Sequence, residues 1–167
     1  MKPFLLTAIA FVALPALSGL LPELNLTTAR LDLHLPLIVF LALTGTGIEG
    51  AFGAFAIGYL VDVHSGHPMG LFLSASMFTY VLARLFAPVV EPRSRWSFAV
   101  LALLFDLAYG FFTLALAAMS PLTASGSASS VLLTAPLTAL AAWLLWPLLA
   151  LIERRKKRGE RGALTLR

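Results

Sequence analysis

The chain has 167 residues, of which 59% are Ala, Val, Ile, Leu, Met, Phe, Trp or Tyr and only 12% are charged, with a mean hydropathy of +0.91. Soluble domains carry roughly 45–50% apolar and about 25% charged residues, so this composition excludes both an ordinary water-soluble fold and a disordered chain. The net charge of +4 is not spread evenly: residues 1–152 hold five basic side chains (Lys2, Arg30, Arg84, Arg93, Arg95) and six acidic ones, whereas residues 153–167 hold seven basic and two acidic. The basic excess therefore belongs to a short tail, not to a nucleic-acid-binding surface. The chain has no Cys, which removes disulfides, thiolate metal sites and a Cys nucleophile.

A bilayer core of about 30 Å takes about 20 apolar residues per helix, so the chain has room for six spans and for no sizeable domain beside them. Span 1 is residues 3–22, uncharged between Lys2 and Pro22-Glu23. Lys2 followed by an apolar run and Ala13, Ala16, Ser18 and Gly19 also fits a secretory signal. The run is long for a signal core and right for a span, so it is expected to be retained. A polar loop, Glu23 to Asp32, leads to span 2 at about 33–45, which contains Pro36 and ends in Thr44-Gly45-Thr46-Gly47. Span 3 follows from Glu49 to Asp62, and 62–68 reads as a turn in which Gly66 permits positive φ and Pro68 starts span 4. Span 4 covers about 69–88, and Glu91-Pro92-Arg93-Ser94-Arg95 is a charged loop. The long uncharged run after it breaks at the Ser/Thr/Gly-rich stretch 120–130, giving span 5 at 97–119 and span 6 at 131–152, before the tail 153–167.

Lipid leaves no partner for an unpaired backbone group, so spans are helices or closed barrels. Barrel strands alternate apolar and polar residues; these segments are apolar all round, and the expected class is an all-α polytopic membrane protein, a six-transmembrane-helix bundle in one domain. With the N-terminus inside, the cytoplasmic segments hold Lys2, Arg93, Arg95 and the basic tail, and the outer loops hold only Arg30. That bias puts both termini in the cytoplasm. Trp96, Trp143 and Trp146 then fall in the cytoplasmic half, where aromatic residues anchor helices.

Gly50, Ala54 and Gly58 recur at i, i+4 and i+8 and share one helix face, which lets backbones approach closely. Packing within the chain is the ordinary reading, and a partner interface the sharper one. Spans 2 and 3 are short, about 21 Å for about 14 residues, so they are expected to be shielded by neighbours or to thin the bilayer. Asp106 falls near mid-membrane and Arg84 toward the cytoplasmic end of span 4. Charges at depth face a bundle interior, which allows an Arg84–Asp106 pair, although snorkelling is the commoner fate of an Arg there. A proton relay needs titratable groups at successive depths, and the sequence places only Asp106 near the midplane. Asp62, His64 and His67 form D-x-H-x-x-H, but a turn supplies no face to organise the set, and only distant His34 remains as a fourth ligand, so no metal site is expected. Ser65 lies beside His64 and His67 with no third member to orient them, and no phosphate loop is present; neither catalysis nor a cofactor is expected. The tail Glu153-Arg154-Arg155-Lys156-Lys157-Arg158 reads as a topological stop that binds anionic lipid, or as a dock for an acidic cytoplasmic partner.

The span 3–4 junction, Gly58-Tyr59-Leu60-Val61-Asp62-Val63-His64-Ser65-Gly66-His67-Pro68-Met69-Gly70-Leu71, resembles the G-x-x-x-D-x-x-S-G-x-x-x-G stretch of the bacterial rod shape-determining MreD family. Asp106 alone inside span 5, Trp146-Pro147 late in span 6, the basic cytoplasmic end and the six-span layout extend the resemblance over nearly the whole chain. It implies a non-enzymatic inner-membrane scaffold of the cell-elongation complex. The partners it implies are MreC directly, and through it MreB and the RodA/penicillin-binding-protein pair. The family is also similar to the S components of energy-coupling-factor transporters, which implies a small-molecule binder instead. Span 1 lacks their Ala-x-x-x-Ala docking pattern, since Ala8, Ala10, Ala13 and Ala16 do not give that spacing. Gly50, Ala54, Gly58, Asp62, Ser65, Gly66 and Gly70 are the expected packing or partner residues, and Arg84 and Asp106 the intramembrane polar ones.

Overall fold

A computed structural model describes residues 32–65, 70–90, 94–119 and 128–164. Span 1, the loop before Asp32, and the turn residues Gly66, His67 and Pro68 lie outside the described residues. Among the described residues all regular structure is helical: α1 (His34–Thr44), α2 (Gly47–Ser65), α3 (Leu71–Phe86), α4 (Arg95–Met119) and α5 (Ala128–Leu164).

Helix α1 organises the rest. It is apolar on every side after His34, and a helix of that kind is stable only when buried all round. Pro36 sits in its first turn, where a missing N–H costs no hydrogen bond. The helix closes at Gly45, whose N–H donates to the Leu41 carbonyl at 2.9 Å. A Cβ on Gly45 would stand 2.6 Å from that same oxygen, so glycine is needed there. At 11 residues α1 is only ~16 Å long, and it touches all four other helices. Helices α2, α3, α4 and α5 follow one another around it as neighbours in chain order, and α2 and α5 do not touch. Ile38, Val39 and Phe40 of α1 meet Ile57, Phe98 and Phe105 in the main core. The shielding expected for short span 2 is thus supplied by four neighbours.

Two expected boundaries change. Span 3 is not short: α2 has 19 residues, ~28 Å, and runs past Asp62 to Ser65 because the Asp62 carboxylate finds its partners on the next helix instead of ending its own. The last helix does not stop at residue 152; α5 continues to Leu164, 37 residues and ~55 Å in all, so the first part of the basic tail is a direct helical extension of span 6.

Helices α4 and α5 each contain a segment long and apolar enough to cross a membrane, Arg95–Met119 and Val131–Leu151. Only 33% and 28% of those apolar windows are buried inside the protein. Their outward faces carry Val100, Leu104, Phe111, Leu140, Leu144 and Leu148, all exposed.

Candidate functional site

Two constructions stand out: a clamp joining α2 to α3, and a line of polar groups inside the bundle.

The first N–H groups of any helix have no partner within it. At the start of α3 three of them point at one carboxylate from α2. Asp62 Oδ2 accepts from the Gly70 N–H at 3.0 Å and the Leu73 N–H at 2.9 Å, and Oδ1 accepts from the Phe72 N–H at 2.8 Å. Asp62 is buried, and its negative charge sits where the helix dipole is positive. Gly70 adopts φ of +101°, the left-handed region that glycine enters without a Cβ penalty. Asp62 and Gly70 therefore act together: one turns the chain and the other ties the turn to the helix it came from.

The small-residue face of α2 lies in the same interface. A Cβ on Gly58 would come within 2.8 Å of Ser76 Cβ and 3.1 Å of Leu73 Cα. One on Gly50 would come within 2.7 Å of the Tyr80 hydroxyl and 3.0 Å of the Leu41 carbonyl oxygen. Ala54 between them is fully buried. The Tyr80 hydroxyl donates to the Gly47 carbonyl at 2.7 Å. This face is covered by α3 and the end of α1, which leaves nothing of it for a partner helix. The face of α2 that remains open carries Ile48, Phe52, Phe55, Tyr59 and Val63. Ser65 and His64 fall in the last turn of α2; their side chains, with Gly66 and His67, lie outside the description. No group of three or more His, Asp or Glu among the described residues is arranged to hold a metal ion.

Arg84 and Asp106 do not pair. Arg84 Nη1 donates to the Ala42 carbonyl at 2.9 Å and to the Gly45 carbonyl at 3.1 Å. It satisfies carbonyls at the end of α1 and places a cation where the helix dipole is negative. The end of α1 offers Arg84 two carbonyl acceptors within reach, and no contact joins it to Asp106 among the described residues.

Asp106 belongs to the second construction, which gathers polar side chains from four segments. Asp32 Oδ1 lies 4.0 Å from His34 Nδ1. His34 Nε2 lies 3.3 Å from the Tyr109 hydroxyl, with the two rings edge to face at 5.4 Å. Tyr109 stands three residues after Asp106, so both project from one face of α4. Ser76 Oγ lies beside the Tyr109 hydroxyl without a hydrogen bond of its own among the described residues. The Thr138 hydroxyl of α5 lies against the Asp106 carboxyl, while donating to the Thr134 carbonyl at 3.2 Å. Asp106 Oδ2 has no hydrogen-bond partner among the described residues. His34, Ser76, Tyr109, Asp106 and Thr138 are all buried. Asp106 thus shares its face of α4 with Tyr109, against which the start of α1 buries His34. The signal that could have found it is the i, i+3 spacing of Asp106 and Tyr109 together with a His two residues from an Asp at the head of a short span.

At the opposite end of α4 the tryptophans converge. Trp96 and Trp143 lie 6.1 Å apart, Phe98 and Trp146 lie 5.0 Å apart, and the Arg95 guanidinium stacks 5.6 Å from the Trp143 ring centre. Neither a family model, nor a curated protein, nor a solved structure matches the chain.

Proposed function

We propose that the chain is a six-span inner-membrane scaffold of the MreD type, with both termini in the cytoplasm. It binds MreC and, through it, supports peptidoglycan synthesis by the MreB-linked RodA/penicillin-binding-protein pair. The observation that carries this reading is the Asp62 clamp. The residues on which the resemblance rests are joined in one interface: Gly58 lets α3 approach, Asp62 holds the start of α3, and Gly70 makes the turn. A rigid helix pair that ends in a short turn suits a scaffold that presents one surface to a partner.

The contact surface moves accordingly. The small-residue face is used within the chain, so lateral binding of a partner helix falls to the open face of α2, with Phe52 and Tyr59 at its centre. Aromatic anchors of this kind dominate binding energy where interfaces have been dissected. The basic extension of α5 sits at the cytoplasmic end and attracts anionic lipid.

The test is affinity capture of the tagged protein from native membranes of a host that carries the elongation proteins, with a photo-crosslinker at residue 52 or 59 and, as control, at buried position 54. Crosslinks to MreC from 52 and 59 but not from 54 support the reading. Capture of no elongation protein, or capture unchanged by D62A and by F52A/Y59A alike, refutes it. A rise in melting temperature with a vitamin-class ligand would favour the S-component reading in its place.

A further inference from the structure

We propose that the start of α4, with the wall of α5 beside it, is a seat for one anionic phospholipid, its phosphate on Arg95 and its chains on the outward faces of α4 and α5. The proposal takes only the membrane placement from the reading above.

The first observation is a step in the bundle. Helices α4 and α5 run antiparallel and pack along their length: a Cβ on Gly110 would overlap Val131, Trp96 lies 6.1 Å from Trp143, and Phe98 lies 5.0 Å from Trp146. In that register the start of α4 stands level with Pro147. Helix α5 stays apolar from Leu148 to Ile152 before Glu153 opens the tail, so α4 begins ~8 Å short of the first charge on α5. Arg95 and Trp96 lie at the foot of this step, and Leu148 and Leu151 on the overhanging part of α5 are exposed.

The second observation is a set of donors without an anion. The Ser94 hydroxyl accepts from the Ser97 N–H at 3.1 Å, and the Ser94 carbonyl accepts from the Phe98 N–H at 3.1 Å. The Arg95 and Trp96 amides have no acceptor among the described residues, and no acid stands in the first turn of α4. The helix dipole is positive at this end, and Arg95 adds a full charge to it; Glu91 and Arg93 before it cancel in formal charge. The Arg95 guanidinium stands 5.6 Å from the centre of the Trp143 ring. That cation–π contact places the side chain and leaves N–H groups for a phosphate. The Trp143 indole N–H is itself buried without an acceptor among the described residues, a state in which a buried indole is seldom left. The step therefore gathers amide, guanidinium and indole donors with no acid among the described residues.

The third observation decides for a lipid over a soluble anion. Trp96 is 73% exposed, and such rings sit where a membrane meets its headgroups. Val100 stands one turn after Trp96 and Leu140 one turn before Trp143, both exposed, and Leu104 continues the track on α4. A seat for a soluble anion or an acidic peptide has polar groups around its charge. Here the charge is rimmed by indole, valine and leucine, which glycerol and acyl chains cover and a soluble anion does not. The basic tail begins above the step, so the two features can be tested apart.

The experiment is tryptophan quenching, because all three tryptophans of the chain stand at this end. The full chain is placed in phosphatidylcholine nanodiscs that hold a fixed fraction of brominated phosphatidylglycerol or, in the second arm, brominated phosphatidylcholine. One Arg near an anionic lipid corresponds to about a fivefold preference for it, read as stronger quenching by the brominated anionic lipid. Arg95→Gln, a change at an exposed position, should abolish the preference. Replacing Arg154, Arg155, Lys156 and Lys157 together by Gln should leave it in place. Equal quenching by the two lipids in the parent overturns the proposal. So does a preference that survives R95Q, or one that vanishes with the tail charges alone. No quenching by either lipid refutes the membrane placement itself. No partner protein enters the measurement, so failure here and failure to bind MreC are separate results.

Discussion

Removing the Asp62 carboxylate strips three N–H groups of their acceptor at once. In D62A the amides of Gly70, Phe72 and Leu73 lose bonds of 2.8–3.0 Å. A buried donor left without a partner costs about 1–3 kcal/mol, whereas loss of an exposed N-terminal cap costs typically about 1 kcal/mol. The three amides are half-buried, so water recovers part of the loss, and the expected destabilisation is about 3–5 kcal/mol. D62N separates charge from geometry. Its amide oxygen in the Oδ2 position still accepts from Gly70 and Leu73, but its NH₂ group then faces the Phe72 N–H, donor against donor. One bond and the favourable interaction with the helix dipole are lost, so D62N should fall between the parent and D62A. The assay is reversible unfolding in mixed micelles, combined with hydrogen exchange at the three amides. D62A should raise exchange at residues 70, 72 and 73 more than at Thr79 or Ala83 further along α3. If D62A unfolds within about 1 kcal/mol of the parent, or if exchange rises evenly along α3, the clamp does not hold the two helices together.

Gly58→Ala forces its methyl against the Leu73 backbone and should cost about 1–3 kcal/mol as overpacking. Gly47→Ala meets nothing within 4 Å and should be neutral or slightly stabilising in the same unfolding assay. Arg84→Met keeps the apolar stem but leaves the Ala42 and Gly45 carbonyls without their donor. The site is open to solvent, so the expected loss is about 1 kcal/mol, seen as faster exchange near the end of α1. Phe98→Ala empties a fully buried position beside Trp146 and should cost about 3–5 kcal/mol, with a change in tryptophan emission.

The helices were legible because apolar runs bounded by charges and turn residues leave few alternatives, and the boundaries of spans 2, 4 and 5 fall within two residues of α1, α3 and α4. The misplaced ends share a cause. Reading a charge as a boundary fails when another element satisfies that charge, as α3 does for Asp62, and it fails again when a basic segment continues a helix it was taken to end, as in α5. The small-residue periodicity identified a close-packed face but not what covers it. The polar chain was the least legible feature. His34 and Tyr109 lie 75 positions apart, and only the central placement of α1 brings them together.

The same placement bears on the environment. In water, burial sorts apolar side chains inward and leaves polar ones outside. Here the centre of the bundle holds His34, Asp106, Ser76, Thr79 and Thr138, while Phe52, Trp96, Leu104, Phe111 and Leu148 stand outside. The buried set is itself mostly apolar, with Ile38, Val39, Phe98 and Phe105 in its main cluster, so the polar groups are a minority inside it and the outward leucines and phenylalanines are the feature that points to an apolar surrounding. A hydrocarbon solvent would accept the outer leucines and phenylalanines and penalise any of the buried polar groups turned toward it. The partner reading depends on that solvent. In it, an aromatic face on α2 gains nothing by burial alone and needs shape to bind a helix, while the buried Asp106 carboxyl, with the Thr138 hydroxyl beside it, is kept from lipid by the helices packed around it.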